Sequence, residues 1–165
     1  MAQLENLQPS LLDRLSDDYP QTRQESRERQ VISLAKLREA VLRDLGWLLN
    51  TDSLSSTEDL SDYPEVARSV LNYGMPSLSG HTVSGADLKG LERRVKEAVC
   101  NFEPRLIPDT VRVKVIVAPD QMNGNAMSFS IEAQLWAEPA PLHLVLRTDI
   151  DLQTGSVAVS EHGAD

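Results

Sequence analysis

At 165 residues the chain is long enough for one domain with a true core, burying roughly two-thirds of its unfolded surface. With 16 Lys and Arg against 25 Asp and Glu the net charge is −9, and no basic run is long enough to form a phosphate-binding stripe, which argues against nucleic acid and anionic membrane as partners. The only cysteine, Cys100, cannot build an internal disulfide framework and is expected as a buried thiol in a reducing compartment.

The opening residues Met1 to Leu7 carry an acid, Glu5, where a signal peptide carries positive charge, and no later apolar run approaches the roughly 20 residues of a membrane span. The expectation is a soluble, cytoplasmic protein. Pro9-Ser10-Leu11-Leu12-Asp13-Arg14-Leu15 holds three leucines close together, enough for one helical turn with an apolar face that can serve as a docking peptide. Ser16 to Gln30 is almost free of apolar side chains and reads as a solvated, mobile linker. Residues 1–30 are therefore set apart from a single domain over residues 31–165.

From Val31 the apolar residues recur every three or four positions through Leu34, Leu37, Val41, Leu45 and Leu48, predicting a first long helix with one core-facing stripe. Asn50 is its expected end, Trp47 an expected core anchor, and Ser53 to Asp59 a polar loop. Asp62-Tyr63-Pro64-Glu65 predicts a short second helix with Asp62 as N-cap, carrying Val66, Val70 and Leu71 and ending near Asn72-Tyr73-Gly74-Met75-Pro76, where Gly74 supplies a left-handed cap. A third helix starts at Ser84, with Asp87 three residues on, and its stripe is Leu88, Leu91, Val95, Ala98, Val99 and Phe102.

Beyond Pro108 the period drops to two. Val111, Val113, Val115 and Val117 define one strand, and Met127, Phe129, Ile131, Ala133 and Leu135 a second, with Asn123-Gly124 as the turn signal between them. Leu142, Leu144 and Leu146 mark a third strand, Thr154-Gly155 a turn, and Val157 and Val159 a fourth, before a frayed tail from Glu161. Helices first and strands afterwards predict an α+β fold, with three helices packed on one face of a mainly antiparallel four-stranded sheet and a mobile N-terminal segment.

Asn101-Phe102-Glu103-Pro104-Arg105-Leu106 sits where the last helix gives way to the sheet. Proline cannot continue a helix and biases the residue before it toward extended backbone, so the elbow is stiff and Glu103 and Arg105 share one side of it. His81, His143 and His162 have no metal-ligand spacing to one another or to Cys100, and no nucleophile elbow or phosphate loop is present, so neither metal nor cofactor is expected. Glu103 could supply one carboxylate of a glycosidase, the basis for an alternative reading as a peptidoglycan hydrolase. Against it stand the adjacent Arg105, which suits an ion pair better than a general acid, the absence of an evident second carboxylate, and only seven aromatics for stacking on sugars.

Four blocks occur in order: Pro9 to Leu15, Val41 to Thr51, Ser69 to Pro76 and Phe102 to Leu106. Together they resemble the TssE family, small baseplate subunits of bacterial type VI secretion systems, which is similar to the so-called lysozyme-like wedge proteins of contractile-tail phages. The resemblance spans nearly the whole chain apart from Ser16 to Gln30. It implies a structural, non-enzymatic wedge component at a baseplate docked on the cytoplasmic side of the inner membrane. Its implied partners are other wedge subunits of the TssF, TssG and TssK kind and the sheath subunits whose polymerisation it helps start. The family's Glu-Pro-Arg motif falls on Glu103, Pro104 and Arg105, which the resemblance makes protein-interaction residues. Two readings of that motif stay open, a pair partly desolvated at the wedge interface and a pair that caps its own helix and braces the sheet. A further expectation is that an edge strand, Leu142 to Leu146 or Val157 to Val159, accepts a strand from the first sheath ring.

Overall fold

The computed structural model describes residues 10–16, 33–75, 88–116, 126–137, 140–151 and 154–161. The expected features at Val31, Ser84, Asp87, Val117, Asn123-Gly124, His81 and His162, and the linker beyond Ser16, lie outside them. Among the described residues four α-helices precede four strands: α1 (Leu11–Leu15), α2 (Leu34–Leu49), α3 (Pro64–Ala67), α4 (Leu88–Phe102), β1 (Arg112–Ile116), β2 (Ala126–Leu135), β3 (Leu142–Asp151) and β4 (Val157–Glu161). The α+β class and the four-stranded antiparallel sheet stand as expected.

The sheet is a meander in the order β1-β2-β3-β4. Its register sets Val113 against Ile131, Phe129 against Thr148 and Ile150 against Val157. Alternation sends Phe129, Ile131, Ala133, Leu135, Leu144, Leu146 and Ile150 to one face, where they join Leu37, Val41, Leu45 and Leu48 of α2 and Leu91, Val95 and Val99 of α4 in one core. The two long helices lie against opposite edges of the sheet, α2 near β4 and α4 near β1.

Each edge is tied at one or two points by side chains from those helices or their caps. The Val115 amide at the outer side of β1 donates to Glu92 of α4 at 2.9 Å. On β4 the Val157 amide donates to Asn50 Oδ1 at 2.9 Å, and Asn50 Nδ2 donates to the Val157 carbonyl at 2.8 Å. One amide thus imitates a neighbouring strand at the first residue of β4, and Arg38 of α2 pairs with Glu161 at the last. Within β3, Leu142 to Val145 pairs on one side only, with β2, among the described strands, and β4 covers the other side from Leu146 onward. Glu161, expected in the frayed tail, is the last residue of β4.

Three local expectations change. Trp47 is no core anchor: it is 49 % exposed, and Arg43, one helical turn earlier, stacks over its ring with 5.0 Å from the guanidinium carbon to the ring centroid. The second helix stops at Ala67, one turn long, with Tyr63 rather than Asp62 as N-cap, and Val70–Asn72 forms a separate 3-10 turn. Gly74 has a positive φ of 128°, yet it serves a parallel bridge between Asp52 and Met75 rather than a helix end. A Cβ there would collide with the Thr51 carbonyl, so only glycine fits.

Candidate functional site: the Glu-Pro-Arg elbow and its groove

The elbow joins helix to sheet through the main chain. Glu103 closes α4 by donating its amide to the Val99 carbonyl at 2.9 Å. Two residues later the Arg105 carbonyl accepts from the Trp136 amide at 2.8 Å, and the Ile107 amide donates to the Gln134 carbonyl at 2.9 Å. Pro104 between them is exposed, and the turn hands the chain to a bridge between Leu106 and Leu135.

Glu103 and Arg105 pair within the subunit. The Glu103 carboxylate, in a residue only 2 % exposed, accepts from Arg105 Nε at 2.7 Å and Nη2 at 2.5 Å, and also from the Arg105 amide at 3.1 Å. Arg105 Nη2 reaches on to Asp44 Oδ2 of α2 at 2.6 Å. Burial opposes the guanidinium's charge, but the hydrogen bonds and fields of Glu103 and Asp44 outweigh it and raise the Arg105 pKa above its ordinary value. Arg105 Nη1 is buried and makes no hydrogen bond among the described residues.

The pairing continues outward. Asp44 accepts from Arg43 Nε at 2.9 Å, and Arg43 Nη1 donates to Asp13 of α1 at 2.6 Å. Ser10 caps α1 by accepting from the Asp13 amide at 3.4 Å, and its hydroxyl donates to the Asp13 carboxylate at 2.6 Å. The hydrogen bond from Arg43 is the main reason that the Asp13 carboxyl lies below its ordinary range. Alternating charges therefore run from the end of α4 across α2 to α1. The leucines of α1 contribute no buried residue to this contact.

Beside the elbow lies a groove of about 500 Å³, whose apolar lining includes Leu12, Trp47, Leu48, Tyr73, Phe102 and Pro104. Tyr73 meets Phe102 edge to face, with ring centroids 5.3 Å apart. Burial, with the nearby Asp44 and Glu103 charges, raises the Tyr73 pKa, so the ring is a neutral phenol at physiological pH.

The structure brings Glu103 and Arg105 together as the sequence predicts and adds what the sequence reading missed: Asp44 is a second carboxylate at the same place. General acid–base chemistry needs one carboxyl free to pass its proton to a substrate. Here both carboxylates are bonded to a single guanidinium, an arrangement that suits bracing. No group of three or more His, Cys, Asp or Glu among the described residues is arranged to hold a metal ion. No described helix is long and apolar enough to cross a membrane.

These features define a class of protein, a small α+β module with a rigid charged elbow and an apolar groove at the junction of its two halves. The family model for the baseplate wedge protein gp25 matches residues 35–140, more than half of the chain, and the chain belongs to that family. Its coarse role is thereby that of a structural component of a phage-like baseplate. Neither the curated proteins nor the solved structures gave a match.

Proposed function

We propose that the chain is the TssE-type baseplate subunit of a type VI secretion apparatus, without enzymatic activity, joining other wedge subunits of the TssF, TssG and TssK kind and helping to start the sheath. The apparatus would place it on the cytoplasmic side of the inner membrane. Glu103, Pro104 and Arg105 form the docking element: the buried pair fixes the elbow's shape, and the groove beside it takes the partner. The observation that carries this reading is an apolar groove, walled by an exposed tryptophan, with the charged Glu103–Arg105 pair at one end.

Because Glu103 is buried against Arg105, its removal would damage the fold and the interface together. Trp47→Ser tests docking more cleanly, since Trp47 is half exposed. The expected result is an unchanged melting temperature with at least about tenfold weaker capture of the purified wedge subunits, as for an aromatic hot spot. Unchanged capture would sink the groove reading.

Sheath initiation is assigned to the edge of β4. The Asn50 clasp shows that the main-chain groups of Val157 face outward, and the two-residue alternation of an antiparallel strand turns those of Val159 and Glu161 the same way. Val159→Pro removes one outward donor while sparing the ladder to β3. The expected outcome is a folded subunit on which sheath fails to seat, and normal sheath elongation would overturn the strand-addition reading.

A further inference from the structure

Residues 51–75 leave the end of α2 and return to it as a closed excursion. Its base is tied by the Ser53 amide donating to the Met75 carbonyl at 2.8 Å and the Met75 amide to the Thr51 carbonyl at 2.7 Å, with Gly74 packed too tightly there to carry a side chain. Inside, the Ser55 amide donates to Asn72 Oδ1 at 2.8 Å, Asn72 Nδ2 to the Ala67 carbonyl at 2.9 Å, and the Ser69 amide to the Val66 carbonyl at 3.0 Å. Polar bonds therefore hold its shape, for none of its three helical turns, Leu54–Ser56, Pro64–Ala67 and Val70–Asn72, contains a buried residue.

On this fixed frame the large apolar side chains face water: Val70 is 80 % exposed, Leu71 68 % and Tyr63 61 %. Scattered exposed apolar residues are ordinary, but here two adjacent ones and a tyrosine are displayed by a loop ordered without a core of its own. Compact surface excursions tied at their base frequently carry function. Glu58, Asp59, Asp62 and Glu65 are all exposed on the same excursion, opposed within it by Arg68 alone.

We infer that the excursion around Val70 and Leu71 docks into an apolar pocket rimmed by lysine and arginine on another subunit of the same baseplate. The two side chains fill the pocket, and the four acids meet its rim. A second copy of this chain is a poorer occupant, since two molecules of net charge −9 repel. The inference rests on the baseplate reading but uses a surface separate from the groove's apolar walls.

The test uses the full chain and the purified wedge subunits as probe, with binding followed at low and high salt. Val70→Ser/Leu71→Ser is expected to keep the native melting temperature and to bind at least about tenfold more weakly at both salts, as for a central apolar anchor. Glu58→Gln/Asp59→Asn/Asp62→Asn/Glu65→Gln is expected to slow association at low salt and to flatten the salt dependence. Wild-type binding with both variants within about twofold of it would overturn the inference and leave the baseplate reading standing. Absence of wild-type binding would overturn both. Self-association of the wild type in sedimentation, abolished by the apolar variant, would overturn it in favour of a second copy.

Discussion

The elbow at Glu103 to Arg105 and the excursion over residues 51–75 meet at Tyr73, and they are held by opposite means. The elbow depends on buried charge shared with a residue 61 positions away. The excursion depends on hydrogen bonds made almost wholly within itself. A buried ion pair tolerates loss of a partner badly, because the remaining charge is left in a poor solvent. A hydrogen-bonded loop with no core tolerates changes of its outward side chains and fails only where its backbone geometry is unusual.

The largest effect should come from Glu103→Ala, which strands the Arg105 guanidinium with Asp44 alone. A loss on the order of 3–5 kcal/mol in denaturant unfolding is expected, and a loss below about 1 kcal/mol would show that the elbow is not held by its charges. Next is Gly74→Ala, where the positive φ alone should cost about 1–3 kcal/mol and the collision with the Thr51 carbonyl more. Val70→Ser/Leu71→Ser in the same excursion should stay within about 0.5 kcal/mol of the parent for each exposed position, so equal damage from the two changes would break the comparison. Asn50→Ala leaves both main-chain groups of Val157 without their partner and should cost roughly 1–2 kcal/mol, read most directly as faster hydrogen exchange at the Val157 amide.

The smallest effect concerns α1. The Asp13 carboxyl is held below its ordinary range by Arg43, so its contribution is present above the unfolded value of about 3.9 and is lost as pH falls through the lower folded value. The contact of α1 with α2 should therefore hold at neutral pH and release in strong acid, and Asp13→Asn should release it at neutral pH. Exchange at the Arg14 and Ser16 amides, which donate to Ser10 and Leu12, reports it. Protection unchanged in Asp13→Asn would show that the ion pair does not hold α1.

Most of the architecture was legible because it rests on period. The stripes of α2 and α4 and the alternating residues of β1 to β4 lie within short windows, where one face buried against another leaves a clear pattern. Trp47 escaped because size alone predicts burial, whereas Arg43 one turn earlier offers the ring a partner at the surface. The elbow's local pair was readable from its two-residue spacing. Asp44 was not, because an acid one position before the buried Leu45 looks like any solvated helix residue until the fold carries Arg105 to it. The Asn50 clasp, 107 residues from its partner, left no local sign beyond a residue suited to ending a helix. Pairings fixed by tertiary distance are where a single sequence falls silent.

One helix carries a set of contacts with a mechanical meaning. Along α2 and its cap, Arg38 holds the end of β4, Asp44 holds the elbow, and Asn50 holds the start of β4. The edge strand and the elbow are thus hung from the same rigid beam. A load on β4 would therefore reach α2 through Asn50 and Arg38, and the Glu103 junction through Asp44, without crossing a loop.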